Sequence, residues 1–152
     1  MGHPAAIDTR TGAPRWFGAQ LLDIVVGGGQ LYAYDAGGSG ALLVLDTQGG
    51  HARRALHPVL DPAAYWPSVR AIAGRSLIVA GTYFGYAAVD ADTGAVRWQL
   101  PSMHFSGTNF AAIGNGVAYV ASNTGFDAVD IASGTVLWTW PSATPPLFDM
   151  LV

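Results

Sequence analysis

The sequence contains no cysteine, no glutamate and no lysine, and only 11% of its 152 residues are charged. Without cysteine the chain can form no disulfide and can offer no thiolate ligand to a metal. All ten acidic residues are Asp and all seven basic residues are Arg. Because Glu and Lys are common on the solvent faces of helices while Asp favours turns, this composition points away from helices.

The sequence also lacks any concentration of charge of one sign. The net charge is −3, and the arginines are scattered apart from the pair Arg53 and Arg54. Since no basic stripe is available to a phosphate backbone, we expect no nucleic-acid partner. The uncharged stretch from Trp98 to Phe126 is interrupted by Pro101 and by several glycines and polar residues, so we expect no membrane span. The first residues, MGHPAAIDTR, lack the charged start and apolar core of a signal peptide.

What the sequence does have is a motif of eleven residues that occurs four times. The copies are AIDTRTGAPRW (6–16), VLDTQGGHARR (44–54), AVDADTGAVRW (88–98) and AVDIASGTVLW (128–138). Their aspartates, Asp8, Asp46, Asp90 and Asp130, are 38, 44 and 40 residues apart. A period of about forty residues is typical of the four-stranded blade of a β-propeller.

The strand and turn pattern predicts an all-β propeller region over residues 1–152. Three full blades are expected at 21–56, 69–100 and 110–140, a partial blade at 5–16, and the first strand of a next blade at 147–152. Propellers usually contain about four to eight complete blades, so this count predicts an incomplete propeller or one completed by other chains. Such a piece would expose strand edges and apolar blade faces, and we therefore expect it to associate.

Within the motif, each residue type has a local physical role. The Asp carboxylate can accept N–H bonds across the turn, and glycine allows a positive φ, which together predict a tight hairpin with a bulge. The Trp four residues after the glycine is large and flat enough to fill the wedge between two blades. The predicted packing residues are Trp16, Trp98 and Trp138, with Gly12, Gly94 and Gly134 in the turns.

The pattern Ala-x-Asp-x-x-Thr/Ser-Gly-x-x-x-Trp resembles the pyrroloquinoline-quinone-like β-propeller repeat over nearly the whole chain, about residues 5 to 152. The resemblance implies that each Trp docks one blade on the next, and it suggests a bacterial protein of the periplasm or another extracytoplasmic compartment. The first full blade departs from the pattern, because Arg54 stands where Trp is expected and Gly49 replaces the Thr. The sequence leaves open what docks this blade.

Two groups of residues are candidates for a binding site. Strand direction places the long, aromatic-rich connections on one side of the propeller, opposite the tight motif turns. The candidate face for a protein partner or a ligand consists of Tyr65, Trp66, Tyr83, Phe84, His104 and Phe105. These aromatics form either a recognition patch or caps over the core beneath their own loops. Asp23, Asn109 and Asp149 fall near the starts of innermost strands, where they would either line a polar hub or cap strand ends.

No catalytic, cofactor-binding or metal-ligating residue can be assigned, since the four histidines lack ligand spacing and no Glu or Cys joins them. The sequence therefore favours a non-catalytic scaffold that binds a protein partner, further blades or copies of itself, with no cofactor expected. The alternative that the resemblance allows is a fragment of a quinoprotein dehydrogenase, with pyrroloquinoline quinone and calcium held by blades outside this chain. A further alternative is binding of a small ligand or sugar on the aromatic loop face.

Overall fold

The computed structural model describes residues 5–18, 21–35, 41–60, 68–81, 85–100, 111–122 and 125–141. These residues form β-strands joined by turns, and they contain no helix. Accordingly, no described segment could cross a membrane as a long apolar helix. The strands are β1 (Ala5–Ile7), β2 (Pro14–Phe17), β3 (Leu21–Gly27), β4 (Gln30–Asp35), β5 (Leu42–Asp46), β6 (Ala52–Leu56), β7 (Ser68–Ala73), β8 (Ser76–Gly81), β9 (Gly85–Asp90), β10 (Val96–Leu100), β11 (Ala111–Gly114), β12 (Val117–Ser122), β13 (Gly125–Asp130) and β14 (Val136–Pro141).

Within the described residues, the strands form three four-stranded antiparallel sheets and one two-stranded hairpin, each in simple chain order. Blade 1 is β3–β6, blade 2 is β7–β10, blade 3 is β11–β14, and β1–β2 is the outer half of a blade. This architecture confirms the prediction of a partial β-propeller. The strand expected at 147–152 lies outside the described residues.

The first strand of each blade is the innermost one. Strand β7 lies beside β3 on one side and β11 on the other. The approach is close enough that a Cβ added to Gly27 of β3 would be 2.5 Å from Cγ2 of Ile72 of β7. A side chain larger than hydrogen at residue 27 would therefore force the Ile72 side chain to shift.

Three apolar layers fill the spaces between successive sheets. The layer between the hairpin and blade 1 includes Trp16, Leu31 and Leu45. The layer between blades 1 and 2 includes Tyr32, Leu42, Val44, Leu56 and Val89. The layer between blades 2 and 3 includes Tyr86, Trp98, Val120 and Val129.

Strand β9 shows why the sequence of a blade is apolar at successive positions. Ala87 and Val89 belong to the layer shared with blade 1, whereas Tyr86 and Ala88 belong to the layer shared with blade 3. All six residues of this strand are buried. Side chains alternate between the two faces of a strand, so a sheet enclosed by two neighbours needs apolar residues on both.

Candidate functional site

Most of the residues expected to bind a partner or a ligand lie outside the described residues. This holds for all six members of the aromatic loop face, Tyr65, Trp66, Tyr83, Phe84, His104 and Phe105, and for two of the polar hub candidates, Asn109 and Asp149. Their proposed roles stay predictions.

The remaining hub candidate, Asp23, lies on the innermost strand of blade 1 and is exposed. Strand β3 begins two residues before it, at Leu21, so Asp23 lies near the start of the strand. Its role at a hub stays a prediction. Its φ of 47° coincides with a break in register between Leu22 and Val25. An extra residue in one strand produces such a bulge, and the positive φ turns the Asp23 backbone away from regular extended geometry.

The motif turns are hydrogen-bonded polar clusters, and the turn at Asp90 shows their geometry. Oδ1 of Asp90 accepts the backbone N–H groups of Asp92 at 3.0 Å and Thr93 at 2.9 Å, as well as the Thr93 hydroxyl at 3.0 Å. Gly94 follows with a φ of 77°, and its N–H donates to the Asp90 carbonyl. One carboxylate therefore satisfies several donors that the tight turn would otherwise leave unpaired.

The same pattern lowers the pKa of each motif aspartate. The Arg15 guanidinium, followed by the N–H groups of Thr11 and Arg10, lowers the pKa of Asp8 to about 2. Arg97, followed by the Thr93 N–H, lowers the pKa of Asp90 below its usual range. Donors within the turn also lower the pKa values of Asp46, chiefly the Gly49 N–H, and of Asp130, chiefly the Ser133 hydroxyl. All four carboxylates are stabilised as anions, which suits a structural acceptor and not a general acid near neutral pH.

An arginine seven residues after the aspartate completes two of these turns, and the sequence reading missed it. Arg15 lies 2.6 Å from Oδ2 of Asp8, and Arg97 lies 2.6 Å from Oδ2 of Asp90. The signal was present, because residues 15, 53 and 97 are all Arg at the same offset, while the last copy has Leu137. In these two copies the turn is therefore closed by an ion pair as well as by backbone hydrogen bonds.

Trp98 joins blade 2 to blade 3 by contacts with the next motif turn. Its indole N–H donates to the carbonyl of Ile131 at 2.9 Å, and its side chain is only 9% exposed. A Cβ added to Gly134 would lie 2.5 Å from Cγ of Trp98, so the glycine makes room for the indole. Trp16 has the same relation to blade 1, with its N–H 3.5 Å from the Thr47 carbonyl and its ring against Gly50.

Blade 1 docks on blade 2 through an arginine. Nη2 of Arg54 donates to the carbonyl of Ala91 at 3.0 Å and reaches Oδ1 of Asp92 at 3.2 Å. Ala91 directly follows Asp90, just as Ile131 follows Asp130 and Thr47 follows Asp46. Arg54 therefore bonds to the equivalent carbonyl that a docking Trp uses elsewhere. Leu56 occupies the space over Gly94, with its Cβ 3.2 Å from where a glycine Cβ would be.

Trp138 of blade 3 has the same position in the repeat as Trp98, and its indole lies on an exposed face. Trp138 is 49% exposed and Trp140 is 64% exposed, in contrast to the buried Trp98. Trp138 lies tilted against Tyr119, with 6.1 Å between ring centroids, and Trp140 stacks on Phe126 at 6.3 Å. We call this surface, formed by Tyr119, Phe126, Trp138 and Trp140, the aromatic blade face.

A shallow cleft of about 510 Å³ lies between the β1–β2 hairpin and the β5–β6 turn of blade 1. Its polar lining includes Asp8, Arg10, Arg15 and Gln48. Arg15 is already engaged by Asp8 and lies 3.5 Å from Oε1 of Gln48. The cleft is therefore the polar rim of the contact between the hairpin and blade 1.

The described residues do not supply a cluster of carboxylate or histidine ligands that would hold calcium. Within the described ranges, no three His, Asp, Glu or Cys side chains converge on one point. The motif aspartates are instead held within their turns by backbone N–H and arginine donors. No step of quinone chemistry can be assigned to these side chains.

The fold and the repeated docking turns define the chain as a pyrroloquinoline-quinone-type β-propeller repeat protein. The family model described as "Outer membrane protein assembly factor BamB" matches residues 5–151, and the chain belongs to this family. No curated protein matches the sequence significantly.

Two solved structures illustrate the fold. The chain is 20% identical in sequence to BamB from Moraxella catarrhalis, with a TM-score of 0.64 over 86% of this chain and 40% of that one. It is 19% identical to a europium-containing methanol dehydrogenase, with a TM-score of 0.57 over 81% of this chain and 25% of the enzyme. The chain therefore spans less than half the length of either structure, and both similarities concern the fold alone.

Proposed function

We propose that this chain is a non-catalytic propeller scaffold that binds protein, in the manner suggested by the name of the outer membrane protein assembly factor to whose family it belongs. The observation that carries the proposal is the aromatic blade face, where Trp138 and Trp140 are exposed on the outermost strand of blade 3. Contiguous exposed aromatic surface is typical of protein interaction sites, because Trp and Tyr give rigid contact area.

The polar residues of the motif support the same conclusion. Asp8, Asp90 and Asp130 bind donors of their own turns, and their lowered pKa values keep them ionised. Each of these carboxylates has a structural role that accounts for its geometry. These motif aspartates therefore stabilise the blades, and the aromatic blade face supplies apolar area for recognition.

The proposal is tested by an assay for quinone-dependent dehydrogenase activity. The purified chain is mixed with pyrroloquinoline quinone and calcium, and reduction of an electron-accepting dye is followed with alcohols and sugars as substrates. We expect no dye reduction above the rate of the quinone without protein, whereas a quinoprotein dehydrogenase serves as the positive control. Saturable, protein-dependent dye reduction would show that the chain is part of an enzyme and would overturn the proposal.

A further inference from the structure

We infer that the aromatic blade face binds the β1–β2 hairpin of a second copy of this chain, in head-to-tail order. The inference rests on the proposed function, since it names the partner of the same face. The chain carries one exposed surface that resembles the docking-residue side of its internal blade contacts and another that resembles the motif-turn side.

Each blade contact in the described chain has the same two sides. One side is a docking residue on the outermost strand, which is Trp16, Arg54 or Trp98. The other side is the next motif turn. There the carbonyl of the residue after the motif Asp accepts the hydrogen bond, and the missing side chain of the glycine leaves room for the docking contact. The acceptors are Thr47, Ala91 and Ile131, and the covered glycines are Gly50, Gly94 and Gly134.

One docking residue and one motif turn of the described chain remain outside these three contacts. Trp138 pairs with Ala128 across β13 and β14 as Trp98 pairs with Ala88, yet it is half exposed. At the other end, the turn Asp8–Gly12 has the same two backbone N–H bonds to its carboxylate as the other turns, and Gly12 has a φ of 72°. No atom lies within 4 Å of a Cβ built on Gly12, so the place taken by an indole at Gly134 is open.

The apolar residues beside these two features also match. The residue before the motif Asp is buried in the contact with the preceding sheet at Leu45, Val89 and Val129. The equivalent residue of the first copy is Ile7, which is 58% exposed. The hairpin therefore presents Ile7, the Thr9 carbonyl and the open space at Gly12. On blade 3 the equivalent features beside Trp98 are Val129, the Ile131 carbonyl and Gly134.

Within the part of the chain that the structure describes, these surfaces do not meet, since nothing lies within 4 Å of a Cβ built on Gly12. A contact between two different patches of identical chains is heterologous, so association would extend into rings or filaments and not stop at a symmetric dimer. Light scattering on the wild-type chain should show a mass that rises with concentration beyond that of a dimer.

Two substitutions block opposite sides of the contact. Trp138→Ala removes the docking residue, and Gly12→Ala places a Cβ where the neighbour's indole would lie. We expect each variant alone to associate at least ~30-fold more weakly than wild type, the loss typical of a buried interface tryptophan. Gly29→Ala is the matched control for Gly12→Ala, because Gly29 also has a φ of 72° and nothing within 4 Å of its Cβ position. It should lose similar stability and keep wild-type association.

Mixing the two blocked variants tests the order of the contact. The Trp138→Ala chain keeps an open turn, and the Gly12→Ala chain keeps the indole, so together they can form one productive contact. We expect a 1:1 heterodimer of twice the chain mass that grows no further. If Trp138→Ala alone weakens association and Gly12→Ala does not, the faces pair with themselves and the inference is wrong.

A wild-type chain that stays monomeric at all accessible concentrations would also overturn the inference. That result would leave the scaffold proposal standing, with a different protein on the aromatic blade face. Quinone-dependent dye reduction would instead contradict the scaffold proposal, and it would not affect the heterodimer result.

Discussion

The guanidinium of Arg54 donates to the carbonyl of Ala91 at 3.0 Å, and this bond joins blade 1 to blade 2. It uses the carbonyl position to which Trp98 donates in the next contact. The guanidinium also reaches Asp92, which pairs in turn with Arg75 at 2.9 Å. A planar cation with several N–H donors can thus replace the indole N–H, while Leu56 supplies the missing apolar area.

Replacing Arg54 by Ala should destabilise the chain by about 1–2 kcal/mol, because two backbone carbonyls lose a charged donor at a partly exposed contact. Urea denaturation followed by tryptophan fluorescence measures the change. Arg10→Ala is the control, since Arg10 is an exposed arginine of the first turn and should change stability by less than about 0.5 kcal/mol. Equal losses in the two variants would contradict the docking role of Arg54.

Trp98→Ala and Trp138→Ala should differ strongly although both residues hold the same position in the repeat. Trp98 is 9% exposed, so its removal should cost about 3–5 kcal/mol. Trp138 is 49% exposed, so its removal should cost the isolated chain about 1 kcal/mol or less. Both are measured by urea denaturation at a protein concentration low enough to suppress association. A large loss for Trp138→Ala under those conditions would show that its indole is covered within the chain.

Gly134→Ala should be more damaging than Gly116→Ala, though both glycines have a positive φ, of 75° and 78°. The new methyl group at residue 116 meets open space, so only the backbone strain of about 1 kcal/mol applies. At residue 134 it would collide with the indole of Trp98, which must move out of the contact. Thermal melting of both variants compares the two effects, and equal melting temperatures would contradict the close packing at Gly134.

Stability should fall in acid because the motif carboxylates have lowered pKa values. A carboxylate whose folded-state pKa lies below its unfolded value stabilises the fold above about pH 4. That contribution is lost as the pH falls toward the folded value, which for Asp8 is about 2. Urea midpoints measured from pH 7 to pH 2 should therefore decline mainly below pH 4.

Asp90→Asn separates this effect from general acid unfolding. The amide removes the anion that Arg97 and the Thr93 N–H stabilise, so the variant should be less stable at pH 7. It should also show a shallower decline between pH 4 and pH 2, since one titrating group is gone. A variant curve parallel to wild type would mean that Asp90 contributes nothing to the acid sensitivity.

The sequence alone determined the architecture, because the same eleven-residue turn motif occurs four times at a period of about forty residues. Asp at the start of the turn, glycine four residues later and apolar strands on either side are local requirements, so periodicity revealed them. The sequence has an arginine at the seventh position after Asp8, Asp46 and Asp90. Only the structure showed that this arginine forms an ion pair with Asp8 and with Asp90.

What only the tertiary structure decided is which repeat residues are covered. Trp98 and Trp138 are equivalent in sequence, yet one is buried against Ile131 and Gly134 and the other lies on an exposed face. Likewise the role of Arg54 depends on the position of Ala91, 37 residues away. A repeat specifies the two surfaces of a blade locally, but burial depends on which sheet lies beside it, and that is a property of the assembled chain.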